Sequence, residues 1–331
     1  MRGIALERLD VSGNALEEGG VSALARALRS SEWVQTVQLA SHPLPVQQLK
    51  AGGSVEIDGQ KLTDFDLQLI LEVVGCNAHR VDADLDIAAA AIRGGAVMGG
   101  GGNIGGSGVV GADGAVGGAG GGMGGTGVGL GGAPIGLGGA DEPPADGPLP
   151  PIVIPSMSLG YNAITEKGAG LLAAAIAKGR VRVEELNLRG NKIGRDGAIA
   201  LLRSMMDSGC PTSLLDLSDN MICGLTADGD GKYSAEAVTT VCQWLTTEGN
   251  PVRSLKLGQN QLCGVNWKGR GDYTSVAVDA LCDALGSSHC QLKDLRVFGN
   301  CWGNKDAHKL ASVIGARTAP LDMLDMRWNE V

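Results

Sequence analysis

Six times along the chain three apolar residues and an asparagine recur at fixed steps, as apolar-x-x-apolar-x-apolar-x-x-Asn. They are Leu6-Leu9-Val11-Asn14, Ile154-Met157-Leu159-Asn162, Val183-Leu186-Leu188-Asn191, Val252-Leu255-Leu257-Asn260, Leu292-Leu295-Val297-Asn300 and Leu321-Leu324-Met326-Asn329. A seventh, Thr212-Leu215-Leu217-Asn220, differs only at its first position. From Asn162 onward the asparagines are separated by 29, 29, 40, 40 and 29 residues, so the two long units each carry the same 11 extra residues. The additions resemble each other: Ile222-Cys223-Gly224 leads to Tyr233-Ser234, and Leu262-Cys263-Gly264 leads to Tyr273-Thr274. A periodicity of this kind has to be read before any local feature, because it sets the whole architecture.

Two apolar residues flanking one polar residue have the period of a short strand, and asparagine at its end can hydrogen-bond the turning backbone. The second half of each unit changes period. From Ile164 to Ile176 and from Ile193 to Leu202 the apolar residues fall three and four apart, as on one helix face, with small Ala and Gly allowing close approach. A strand plus a helix cannot bury its own apolar face, so successive units must stack into a solenoid. The second unit, Val34-Val37-Leu39, carries His42 where asparagine is expected, and the third contracts to Val55 and Ile57 before a helix around Asp64 to Val74. Both are read as degenerate repeats, with His42 as a turn residue.

These residues resemble the leucine-rich repeat. The 29-residue unit with a full helix is similar to the ribonuclease-inhibitor-like subfamily, found also in Ran GTPase-activating proteins and in the C-terminal regions of NOD-like receptors. The resemblance covers residues 4 to 77 and 152 to 331. It implies an α/β horseshoe with a parallel sheet on the concave face and helices on the convex face. It also implies a protein-protein interaction scaffold rather than an enzyme. A regulator of a small GTPase is the alternative, carried by the same resemblance with no functional residue matched position by position.

Between residues 82 and 151 the repeat is interrupted. Twenty-five of the 46 residues from Gly94 to Gly139 are glycine, and the segment closes on Pro143, Pro144 and Pro148 to Pro151. Too few large apolar side chains occur there to offset chain entropy, so a disordered loop is expected. Glycine triplets that match a dinucleotide fingerprint by letter follow no strand and carry no such reading. The expected organisation is therefore residues 1 to 81 as N-terminal repeats, 82 to 151 as a low-complexity insertion, and 152 to 331 as C-terminal repeats without a terminal cap.

The net charge of -9 and the absence of any long basic run argue against nucleic acid or an anionic membrane as partner. Neither a signal peptide nor an uninterrupted apolar span is present, which gives the expectation of a cytoplasmic protein, cytoskeletal association included. Eight cysteines are too sparse for a disulfide scaffold and form no C-x-x-C pair. Cys223 with Cys263 and Cys242 with Cys282 fall at equivalent positions, as a ladder of small buried residues would. Asp228 to Gly231 lacks the first and last ligands of a calcium loop and reads as a solvated turn. No catalytic, metal or cofactor motif is found.

The residues on either side of the third apolar position point away from the core onto the exposed sheet face. Among them Asn187, Arg189, Asp216, Lys256, Arg296, Phe298, Asp325 and Arg327, with Trp328, form the candidate partner-binding set. Arginine and aromatic side chains are over-represented where proteins grip each other, which singles out the last three repeats. Trp267 is a further candidate there, whereas Trp302 stands where other repeats have Leu, Ile or Met and is expected in the core.

Overall fold

The computed structural model describes residues 6–14, 16–39, 42–74, 152–317 and 319–330. The expected Gly-rich insertion, residues 82 to 151, lies outside them. Strands and helices alternate: β1 Arg8–Asp10, α1 Glu18–Ser30, β2 Thr36–Leu39, β3 His42–Pro45, α2 Val46–Lys50, β4 Val55–Glu56 and α3 Asp64–Val73. After the undescribed segment come β5 Ile152–Ser158, α4 Glu166–Ala177, β6 Val181–Asn187, α5 Gly194–Asp207, β7 Leu214–Asp216 and α6 Glu236–Thr246. The last elements are β8 Ser254–Lys256, α7 Val276–Gly286, β9 Asp294–Arg296, α8 Asn304–Ala316 and β10 Met323–Asp325. No helix among the described residues is long and apolar enough to cross a membrane.

Strands β4 to β10 form one seven-stranded sheet in sequence order, every pair parallel. Each unit buries the same columns. Leu215 and Leu217 of one strand lie beside Leu255 and Leu257 of the next, with Ile222 after the turn and Val238, Val241 and Leu245 from the helix closing the layer. Full burial of each such side chain stabilises by roughly 1.5–3 kcal/mol before chain entropy is counted. Consecutive helices from α3 to α8 pack side by side behind the sheet. This strand-helix alternation on an all-parallel sheet is compatible with a leucine-rich-repeat-like solenoid.

The asparagines explain why the turns stack. Asn260 Nδ2 donates to Leu217 O in the preceding repeat and to Leu257 O in its own (2.9 and 3.2 Å), while its Oδ1 accepts from Asn220 N and Ile222 N (3.0 and 3.3 Å). Asn162, Asn300 and Asn329 repeat the arrangement. Each side chain therefore satisfies buried backbone groups that a tight turn leaves unpaired, and ties its repeat to the one before. Asn162 does this across the insertion, reaching Gln60 N, Leu62 N and Ile57 O. The ladder thus runs through β4 and β5 as though residues 75 to 151 were not between them.

The N-terminal strands depart from the expected register. Strand β2 pairs in parallel with β1 but antiparallel with β3, giving a separate three-stranded sheet. His42 is accordingly not a turn residue standing in for asparagine but the first residue of β3. Pro43 and Pro45 supply the reason: neither can donate to a ladder, both keep the segment extended, and both are tolerated on an edge strand. Leu44 fills the core from this returning strand, and only the five-residue α2 follows, burying Val46 and Leu49. Helix α1 packs directly on α3. A cavity of about 700 Å³ remains nearby, lined by Val11, Asn14, Leu39, Lys61, Phe65 and Leu69 among others.

Candidate protein-binding face

Strand register sets the first column of the exposed sheet face. Ser158, Asn187, Asp216, Lys256, Arg296 and Asp325 are direct neighbours across β5 to β10. The acidic and amide members have a local task. Asn187 Oδ1 accepts from Arg189 N, Asp216 Oδ1 from Ser218 N, and Asp325 Oδ1 from Arg327 N, at 3.0, 3.0 and 3.1 Å. Each is a side chain bonding the backbone two residues on, which shapes the exit from its strand. Asn187 also donates to Ser158 Oγ at 2.9 Å. It stands apart from the cleft that the other predicted residues build.

That cleft, about 160 Å³, is lined by Arg189, Asp216, Lys256, Arg296, Phe298, Asp325, Arg327 and Trp328. Its cations are paired unequally. Lys256 Nζ lies 3.7 Å from Asp216 Oδ2 across β7 and β8. Arg296 folds back along its own strand to Asp294, 3.1 Å away, and Arg327 clamps both oxygens of Asp325 at 2.9 and 2.7 Å. Asp325 is only 8% exposed, and the Arg327 hydrogen bond holds its carboxyl below the usual carboxylate range. Among the described residues Arg189 has no ion-pair partner, and its Nε is buried with no hydrogen bond.

Arg189 is held by rings instead. Its guanidinium carbon lies 5.3 Å from the Tyr161 ring centre and 5.2 Å from that of Phe298. Phe298 in turn meets Trp328 edge to face, with centroids 5.8 Å apart and planes at 81°, and Arg327 sits 5.3 Å from the Trp328 ring. The result is one unbroken row: Tyr161, Arg189, Phe298, Trp328, Arg327. Such cation–π and edge contacts contribute roughly 0.5–1.5 kcal/mol each. Small residues make the row possible. Phe298 is nearly buried yet outside the apolar core, because it lies across Gly258, where any Cβ would collide with its ring.

Tyr161 was not legible as a site residue, although a signal for it exists. It holds the position before the asparagine, which in other repeats is Gly13, Gly190, Asp219, Gln259, Gly299 or Trp328, all at φ between 53 and 72°. Left-handed backbone there favours glycine. Aromatic side chains at that position in two repeats are therefore the exception, and both end in the row. Trp267 does not join it: it is exposed on the second insertion with Lys268 Nζ 4.9 Å from its ring. Trp302 is fully buried in the core, as expected.

The insertions stack on each other. Each closes a small hairpin, Leu225 on Gly231 and Val265 on Gly271, and Asn266 Nδ2 reaches Ala227 O at 3.1 Å. Asp228, from the stretch read as a solvated turn, is exposed and pairs with Lys268 at 3.0 Å. The seven described cysteines are all free and buried. Burial pushes the thiols of Cys223 and Cys242 up to about 12 and that of Cys282 to about 11, away from nucleophilic chemistry.

No protein-family model matches the chain, and no curated protein matches it.

Proposed function

We propose that the chain is a leucine-rich-repeat protein of the ribonuclease-inhibitor-like subfamily. In this reading it is a non-catalytic scaffold that holds another protein on the exposed face of its sheet. The observation that supports it is the row from Tyr161 to Arg327. It gathers, on one surface from four different repeats, the arginine and aromatic side chains that dominate binding hot spots, and it leaves Trp328 71% exposed. A solvated face with no partner has no need of that composition in a chain with 3% aromatic residues. The buried, free thiols favour a reducing, cytoplasmic setting.

The test is affinity capture followed by mass spectrometry, comparing the wild type with the double variant Arg189→Glu, Trp328→Ala. Loss of the captured proteins by a variant of unchanged circular dichroism is the expected result. Capture that the substitutions leave intact removes the sheet face from consideration. A small-GTPase regulator is tested separately by GTP hydrolysis with the purified GTPase.

A further inference from the structure

We propose that the cleft beside Arg189 receives a carboxylate, from an aspartate or glutamate on an acidic segment of the bound protein. This rests on the sheet-face reading above and names the chemistry of the partner.

Charge is the first argument. Four cations, Arg189, Lys256, Arg296 and Arg327, line the cleft against two carboxylates, Asp216 and Asp325. Both carboxylates already have their donors, and Arg296 is matched by Asp294 at the edge of the site. The surplus is Arg189, in a chain whose net charge is -9. A guanidinium presents a planar fork that matches a carboxylate with two parallel hydrogen bonds.

Preorganisation is the second. Most arginines lose much rotamer freedom when they bind, whereas the rings of Tyr161 and Phe298 already fix this one. Size is the third. At about 160 Å³ the cleft lies below the roughly 300–1,000 Å³ of pockets that enclose whole small ligands, and it takes a single acidic side chain. Phe298 and Trp328 supply apolar contact for the residues flanking that acid. A phosphate polymer is disfavoured, since it would place many charges against an acidic protein with one unmatched cation.

The experiment pans a random twelve-residue peptide display library on the full chain, then measures synthetic copies of the selected peptides by fluorescence anisotropy. The expected pool is enriched in Asp or Glu beside an apolar residue. Arg189→Gln is expected to weaken binding roughly tenfold to a hundredfold, as does Glu→Gln in the peptide, and the two changes together cost little more than either. Arg189→Lys, which keeps the charge and loses the fork, falls between. Arg195→Gln on α5 changes nothing.

Selected peptides without an acid, or insensitive to Arg189→Gln yet lost on Trp328→Ala, overturn the carboxylate site and leave the sheet-face reading standing. Peptides insensitive to both variants overturn both readings. An empty selection overturns the carboxylate site, and so does tighter binding of a single-stranded oligonucleotide than of any peptide. Circular dichroism melts identical to the wild type establish that each variant is folded.

Discussion

Asn14 and Asn260 hold the same place in the repeat, in the first unit and in the fifth unit of the asparagine pattern. Asn260 is fully buried and bonds backbone on two neighbouring repeats. Asn14 is exposed, and among the described residues its amide donates only within its own turn, to Val11 O at 3.2 Å and Ser12 O at 3.4 Å. The letter is the same and the work is different, because a ladder asparagine needs a stacked neighbour to bond. Ladder bonds run from each asparagine to the repeat before it, and among the described residues no repeat precedes the one that carries Asn14; after it the chain turns back through Pro43 and Pro45, with a cavity nearby. Stacking, rather than the motif alone, makes the repeat cohesive.

The thiols give the widest separation between the two regions. All seven described cysteines lie between residues 210 and 301, and none lies in the strands and helices up to Val73. Burial raises Cys223 and Cys242 from an ordinary 9.0 to about 12, and Cys282 to about 11. A raised value means that the folded state keeps the proton while the unfolded chain loses it. The stabilisation is therefore complete below pH 9 and falls as pH rises toward 11 to 12, by about 1.4 kcal/mol per thiol per pH unit. Hydrogen exchange read at pH 8, 9 and 10 is expected to show helices α6 and α7 loosening before α1. Cys223→Ala and Cys242→Ala are expected to flatten the dependence. Stability that stays level across this range contradicts the assignment.

The asparagines themselves come next in size. Asn260→Ala leaves the backbone donors of Asn220 and Ile222 and the carbonyls of Leu217 and Leu257 without that partner, at a cost of about 3 kcal/mol. Asn14→Ala, at an exposed turn, is expected to cost under about 0.5 kcal/mol. Urea denaturation of both variants decides the matter. Equal losses would mean that the N-terminal turn is stacked after all.

The repeat was legible because its signals agree at every level: strand period and turn asparagine recur together seven times, and a helix follows in six of those units. The C-terminal strands and helices accordingly stand where the pattern put them, and eight of the nine predicted face residues line one cleft. What failed did so for local reasons. His42 matched the asparagine position by spacing, but flanking prolines decided the backbone. Asp216 and Asp325, read as binding groups, do line the cleft, but they also hold the strand exits as turn-formers, a second task that the spacing did not reveal. Tyr161 escaped because the pattern treats the residue before asparagine as filler, and only its left-handed φ of 53° reveals that an aromatic there is unusual. The pairing of Arg296 with Asp294 rather than Asp325 depends on rotamer choice, which no spacing encodes.

Helix α3 joins the two regions, packing on α1 to one side and on α4 to the other. Its start is a reciprocal cap in which Asp66 Oδ2 accepts from Thr63 N at 2.8 Å and Thr63 Oγ1 accepts from Asp66 N at 3.5 Å. Asp66→Ala is expected to cost about 1 kcal/mol. Because among the described residues α1 has no other full helix packed beside it, exchange is expected to quicken in α1 more than in α5. A uniform change across both helices would erase the distinction between the regions.

The smallest effect expected separates contacts that hold the C-terminal region from contacts that only decorate it. Lys268 Nζ and Asp228 Oδ1 are 3.0 Å apart, but their side chains are 39% and 66% exposed. An ion pair so wet gains little over hydration and loses side-chain entropy, so Lys268→Ala is expected to change stability by less than about 0.5 kcal/mol. The two insertions stay together through a buried group instead. Asn266 Oδ1 accepts from Lys268 N and Arg270 N at 3.0 and 2.9 Å, its Nδ2 reaches Ala227 O, and these bonds survive loss of the lysine side chain. Trp267 reports on both: its emission is expected to shift with Lys268→Ala, as the cation leaves its ring, while the urea midpoint stays put. A midpoint that falls with the emission change would make the exposed pair, and not Asn266, the tie between the insertions.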